Sequence, residues 1–355
     1  MFLTVIHEFG HFIAAKAFKI KVTEFAIGMG PLIFKKQGKE TLYSLRLFPI
    51  GGFCKMEGEE EYSESPRSFS AAKVWKRFIV VVSGAAMNLL LGFIAVVVTV
   101  SCFYNLVPTT MVAKFNTLNI PGYEQEVPPV SNAEGGLMQY DRIIKINGEA
   151  VTIRSDINYI LGLCQDETVD ITVLRDMNPD EDVTELKEIV LEDVKFHQIE
   201  QNGSKGLIAD FSVYGVEKTV GNVLDYSFKE TVGSVKMVYR TLAGLITGKI
   251  PVSNMSSIVG VGGAINDSVS QAESVSDVVF MLLSYLYLIS INLGVMNLLP
   301  FPALDGGHVV FLIYEAIFKK PVPEKLYTIL NAAGFILLFA FMIFIVLKDV
   351  FYLFV

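Results

Sequence analysis

Apolar residues in this chain gather into four runs, separated by stretches in which apolar and polar positions alternate or mix. A helix crossing a bilayer core takes about 20 predominantly apolar residues. By that measure the candidates are residues 1–18, residues 78–104 (FIVVVSGAAMNLLLGFIAVVVTVSCFY), residues 278–300 (VVFMLLSYLYLISINLGVMNLLP) and about 327–347. Two prolines break the helix at the end of the third run; 278–318 is read as the third membrane segment together with the stretch that follows them, and 319–355 as a turn followed by the last span. Only six residues precede His7. A span entering from outside has room there for about ten more. Either Met1 is not the natural start, or the first helix is short and tilted; the intact mass of native protein separates the two.

The stretches between the runs carry other periods. Residues 19–77 include TEFAIGMGPLIFKKQGKETLYSLRLFPIGGFCKM, which reads as short strands broken by Gly and Pro, turning at Lys36-Gln37-Gly38-Lys39. Strand edges have no partners in lipid, so a hairpin at the membrane sits against helices or lines a cavity. It is either a plain surface hairpin or an edge offered to an extended substrate. Residues 105–195 combine a Gly-rich turn, a strand, an Asn147-Gly148 hairpin turn, the helical SDINYILGL and the strand VDITVLRD, a small α/β module. Charged MNPDEDVTELKE is a solvent-exposed loop of it. Residues 196–277 look more helical and polar, a linker with one amphipathic helix. There Phe228, Val232, Val235, Tyr239 and Leu242 recur at helical spacing among Lys229, Lys236 and Arg240. That pattern suits a helix lying on a membrane surface, or one packed on the module.

Composition and charge sharpen this picture. Over 355 residues the chain is 52% hydrophobic and 19% charged, with mean hydropathy +0.48. It is too apolar for an ordinary soluble domain and too charged to lie wholly in a membrane. The net charge of −8 comes from an acidic middle, which speaks against nucleic-acid binding. Cys54, Cys102 and Cys164 lie far apart and form neither a disulfide framework nor a zinc ribbon. The N-terminus has no basic region and no small-residue cleavage site, so it is not read as a removable signal peptide. Lysines crowd the 19–77 loop, and Lys319, Lys320 and Lys325 mark the short loop before the last span. The positive-inside rule puts both in the cytoplasm and residues 105–277 outside.

Against this background His7-Glu8-Phe9-Gly10-His11 stands out inside an apolar run. Two imidazoles four residues apart share one helix face, roughly 6 Å apart, and can grip one metal ion. The glutamate beside the first is placed to act as general base on a metal-bound water. Three such groups left unpartnered in lipid would cost several kcal/mol. The alternative is a pair of inert core histidines. Zinc needs at least three protein ligands, and the helix supplies two. Asp305 is the favoured third, lying in Asn297-Leu-Leu-Pro300-Phe-Pro302-Ala-Leu-Asp305-Gly306-Gly307-His308 near the cytoplasmic end of its segment. It would match the depth of His7 and His11. Asp305 could instead cap the helix that starts near Gly306. His308 is a rival ligand.

These pieces together resemble the site-2 proteases, the intramembrane zinc metalloproteases, and most closely the bacterial branch typified by regulator of sigma-E protease. The resemblance rests on HEFGH, FPIGGFCKM, GAAMN, the YDRIIKINGEAV stretch and NLLPFPALDGGH, and runs from near residue 1 to about residue 318. It implies a polytopic α-helical membrane protein with about four transmembrane helices, a membrane-associated β-hairpin and an extracytoplasmic PDZ-like domain over 105–195. It implies His7, His11 and Asp305 as ligands of Zn2+, Glu8 as catalytic base, and Asn292 and Asn297 as substrate-binding residues, with Asn88 supporting the surroundings. The location implied is the bacterial inner membrane, with the active site near its cytoplasmic side. The chain departs from the family where Ala85 follows Gly84 and where MSSIVGVG lacks a Gly-Pro; neither is a catalytic position.

The expected activity is hydrolysis of a peptide bond in a membrane segment of single-pass substrates, such as pre-cleaved anti-sigma factors or signal-peptide remnants. The PDZ-like module would reject bulky outer domains. Two readings compete with it. A catalytically inactive PDZ-bearing scaffold has no need of a base beside the metal. A metal transporter would carry ionisable residues through several spans, often in repeats, and neither is seen.

Overall fold

The computed structural model describes every residue except 60–62, 121–122, 124, 178–184, 202–203, 249, 252–254, 256 and 355. Part of the expected charged loop MNPDEDVTELKE lies outside the described residues. The chain forms two compact units, one of residues 1–95 with 256–355 and one of residues 96–255.

The first unit opens with helix α1 (Phe2–Ala17). At 16 residues it extends about 24 Å, less than the roughly 30 Å of a bilayer core. Among the described residues, three helices are long and apolar enough to cross a membrane: 74–103, 275–297 and 325–351. The fourth crossing, expected over 1–18, is not among them. After α1 come two long strands, β1 (Val22–Gln37) and β2 (Leu42–Met56), antiparallel and joined at 38–41, two residues later than the turn expected at 36–39, because Lys36 and Gln37 still pair with Tyr43 and Leu42. Their pairing is not a simple ladder. Phe25, Ala26 and Ile27 face Cys54, Phe53 and Gly52, and also face Tyr43, Ser44 and Leu45. The start of β1 is therefore central, with residues 52–56 along one side and 42–45 along the other. Gly28, Gly30 and Gly51 take left-handed backbone at the bends that make this possible.

Helix α2 (Val74–Phe103) is the first long span. It packs closely on α1: a Cβ on Gly10 would lie 2.3 Å from the Ser83 carbonyl oxygen. Ala15, Ile20, Val22, Cys54, Met56, Val80 and Val81 form the core between these elements. Arg77 pairs with Glu315 at 2.5 Å.

The membrane segment expected over 278–318 is two helices, broken at the prolines as expected. Helix α6 (Val275–Asn297) ends before Pro300 and Pro302, and α7 (Asp305–Phe318) starts after them. Proline has no N–H to give, so the backbone turns, and Ala303 takes φ 72° there. The turn is tight enough that a Cβ on Gly306 would lie 2.0 Å from the Leu299 oxygen, and one on Gly307 would lie 2.5 Å from the Phe301 oxygen. Helix α5 (Ile258–Ser270) precedes α6, and α8 (Glu324–Phe354) closes the chain.

The second unit is α/β. A six-stranded sheet has the order β10 (Phe211–Val216), β3 (Val107–Phe115), β4 (Arg142–Ile146), β6 (Thr168–Asp176), β7 (Leu186–Lys195), with β5 (Glu149–Ala150) paired to β4. Asn147 and Gly148 make the β4–β5 turn with φ 49° and 76°, as an Asn-Gly hairpin requires. Helix α3 (Arg154–Leu163) covers a core that includes Ile143, Ile146, Ile157, Leu161, Ile171 and Val173. Strands also occur beyond 195, where a linker was expected: β8 (His197–Gln201) and β9 (Ser204–Ile208) form a separate two-stranded sheet, and β10 joins β3 in the main one. These strands are five or six residues long, too short to announce themselves by alternation. Asp210 secures β10 by accepting hydrogen bonds from Val130 N–H at 2.6 Å and Ser131 N–H at 2.9 Å. Helix α4 (Val220–Ile246) is the expected amphipathic helix, capped by Thr219. Its buried face is Val223, Tyr226, Ser227, Glu230, Gly233 and Ser234, with Ser155 donating to Glu230 at 2.9 Å. Phe228 and Tyr239 of the expected apolar stripe are exposed.

Candidate metal centre

Helical spacing alone puts His7 and His11 on one face of α1, and α2 supplies the wall they point at. Gly84 of α2 faces both rings: a Cβ there would lie 2.3 Å from His11 Nε2 and 2.8 Å from His7 Nε2. Both histidines are buried. Asp305, at the first turn of α7, completes the group. Its Oδ2 lies 2.9 Å from His7 Nε2 and 3.3 Å from His11 Nε2, and the two Nε2 atoms are 3.2 Å apart. Among the described residues this is the one group of three His, Cys, Asp or Glu donors close enough to share an ion.

The donor set fits zinc. Ligands at about 2.0–2.1 Å in a tetrahedron stand about 3.3 Å from one another, close to the separations seen here. Asp305 Oδ2 is buried and, despite two imidazole nitrogens beside it, has no well-directed hydrogen bond. That is expected of atoms aimed at a common point rather than at each other. Asp305 does not cap α7 by a side-chain hydrogen bond, and Leu304 occupies the capping position.

A metal on Nε2 requires the ring proton on Nδ1. For His11 the requirement is met directly, since Nδ1 lies 2.8 Å from the Val80 carbonyl oxygen, which accepts only a proton. For His7, Nδ1 lies 3.3 Å from Asn88 Nδ2 and 3.3 Å from Asn297 Nδ2. Asn88 Oδ1 is buried without a partner. Which amide atom faces the ring is assigned from hydrogen bonding, and turning the Asn88 amide satisfies Oδ1 with the His7 Nδ1 proton. The same turn frees Nε2 for a metal. Asn88 is itself held where Ser290 of α6 donates to its carbonyl oxygen at 2.7 Å.

Glu8 lines a cavity of about 950 Å³ with His11, Asp305, Phe53, Cys54, His308, Tyr327 and Asn331. Its carboxylate accepts a hydrogen bond from the Cys54 backbone N–H, so β2 fixes its direction. His308 also faces this cavity, but it is not in the metal group; the Tyr327 hydroxyl lies 3.0 Å from its Nδ1. Of the two asparagines expected to hold substrate, Asn297 reaches the centre through His7. Asn292 lies five residues earlier on another face of α6 and has no described hydrogen bond to the group.

The Val80 carbonyl, the Cys54 amide, Gly84 and Tyr327 were not singled out from the sequence. The first two are backbone groups and carry no residue signature. For Gly84 a faint signal exists, since Gly84 and Asn88 sit four residues apart on one face of α2.

A family model described as "Peptidase family M50" matches residues 1–341. The chain is 33% identical over 353 residues to a protein of Clostridium acetobutylicum named "Putative zinc metalloprotease", covering 99% of this chain and 94% of that one. Relatives of the same name occur in Clostridium perfringens, 32% identical over 98% of this chain and 95% of theirs, and in Fusobacterium nucleatum, 33% identical over 98% and 95%.

Proposed function

This chain belongs to peptidase family M50, the family of the site-2 proteases, and we propose that it is a zinc-dependent endopeptidase that cuts membrane-embedded segments of single-pass proteins. The observation that carries the reading is the convergence of His7, His11 and Asp305 from two separate apolar stretches, with Glu8 beside them on a cavity. When bound, zinc would make water a nucleophile near neutral pH and polarise the substrate carbonyl. Glu8 takes one proton from the attacking water as its oxygen bonds to the carbonyl carbon. It returns that proton to the departing amine as the C–N bond breaks. The Cys54 N–H holds the Glu8 carboxylate in place through both transfers.

A substrate helix hides its carbonyls in i to i−4 hydrogen bonds, so it must unwind before attack. Residues 53–56 of β2 border the cavity and pair with β1 along one side. Pairing of the unwound substrate along the other side would hold it extended. Asn297 and Asn292 are assigned to substrate positioning. Residues 105–195 of the second unit are assigned as an extracytoplasmic PDZ-like filter that admits substrates already shortened outside. The substrates proposed are pre-cleaved anti-sigma factors and signal-peptide remnants, in a bacterial inner membrane that the protein spans several times.

Comparison of membrane peptides from cells with the native chain and with Glu8→Gln tests the reading. Intact membrane segments should accumulate with Glu8→Gln while zinc content stays the same. Identical peptide profiles would overturn it.

A further inference from the structure

We propose that His308, held by the Tyr327 hydroxyl, is a further catalytic residue that donates a hydrogen bond to the carbonyl oxygen of the bond being cut. The proposal rests on the protease reading above. Helix α7 begins at Asp305, so His308, three residues on, lies on the same helix face. Both line the one cavity that also holds Glu8 and His11. The metal group does not use His308.

The Tyr327 hydroxyl lies 3.0 Å from His308 Nδ1 and 3.4 Å from Nε2, and the two rings meet edge to face at 5.5 Å. A tyrosine hydroxyl donating to the nearer nitrogen leaves the proton of a neutral imidazole on Nε2. Among the described residues that N–H has no partner besides Tyr327. A donor so placed has a use in amide hydrolysis. As water adds to the carbonyl carbon, the π pair moves to the carbonyl oxygen, and a fixed donor there stabilises the charge that develops. His308 forms no covalent bond and releases no proton in this step. The proton traffic stays with Glu8, from the water to the amine.

The test uses the full-length chain in phospholipid vesicles with an internally quenched apolar peptide carrying a central glycine. His308→Ala should lower kcat by about 10²–10³-fold, the loss typical of one removed oxyanion donor, with KM and zinc content within about 2-fold. Affinity for a phosphinic analogue of that peptide, which mimics the tetrahedral state, should fall by a similar factor. Binding of the uncleaved peptide, measured in the Glu8→Gln background, should not change. His308→Gln keeps an N–H donor and should recover at least about 10-fold of the loss, while Tyr327→Phe should cost about 10-fold. A kcat for His308→Ala within about 3-fold of native overturns the proposal. So does loss of zinc, or equal weakening of the phosphinic and the uncleaved peptides. Failure of the protease reading looks different, because Glu8→Gln would then be as active as the native chain whatever His308 does.

Discussion

To hold the proposed metal, His7 and His11 must both present Nε2, and each then places its ring proton on a different kind of acceptor. His11 uses a backbone carbonyl, which mutation of a side chain does not remove, whereas His7 depends on Asn88. Asn88→Ala should therefore weaken zinc binding about 10–100-fold, the usual effect of removing an outer hydrogen-bond partner. Asn88→Asp keeps an acceptor and should retain native affinity; competition titration with a zinc chelator reads both. Gly84→Ala places a carbon 2.3 Å from His11 Nε2 and should displace the rings, with zinc stoichiometry dropping well below one per chain while circular dichroism is unchanged. The histidines, Glu8 and Asp305 were legible in the sequence because ionisable groups inside apolar runs are conspicuous. The role of Asn88 came only through resemblance, and its hydrogen bond to His7 required a structure.

At the scale of elements, the 22–56 sheet lines the cavity beside Glu8. Cys54 contributes through its backbone N–H to Glu8, so Cys54→Pro should abolish cleavage while Cys54→Ala leaves it within about 2-fold; a fluorogenic peptide assay separates them. On the far side of the sheet, hydrogen bonds from Arg67 and Lys16 hold the Glu40 carboxyl down at about 2. A carboxyl with a depressed folded value contributes stability fully above its ordinary value near 4.5, and loses it as pH falls through about 2. Amide protection factors at the 38–41 turn, corrected for the intrinsic pH dependence of exchange, should thus stay constant from pH 7 to 5 in the native chain and be lower in Glu40→Gln. Sequence signals located this turn to within two residues, and the Asn147-Gly148 hairpin and the proline break in place, because Gly, Asn and Pro restrict backbone directly. They did not reveal the double pairing of β1, which depends on register, nor β8 to β10, whose short runs resemble loop sequence.

For the whole molecule, three long apolar helices among the described residues mark a membrane protein, and the shorter α1 carries two of the three proposed metal ligands. Phe335, Ile336 and Leu337 of α8 are all more than half exposed, as side chains facing lipid are. The topology proposed here predicts that a cysteine introduced at Gln37 reacts with an impermeant maleimide only from the cytoplasmic side, and one introduced at Glu185 only from outside. The membrane class was legible because hydropathy runs report the three long spans directly, whereas the extent of the 96–255 unit was not, since its last strand joins a partner nearly 100 residues earlier. The account as a whole turns on one metal centre assembled from distant parts of the chain. X-ray absorption at the zinc edge on the purified protein addresses it most directly. It should give one zinc per chain with two imidazole nitrogens and the remaining ligands oxygen, all at about 2.0–2.2 Å, and Asp305→Ala should lose the metal. A protein that binds no zinc, or a zinc shell without two imidazoles, would contradict it.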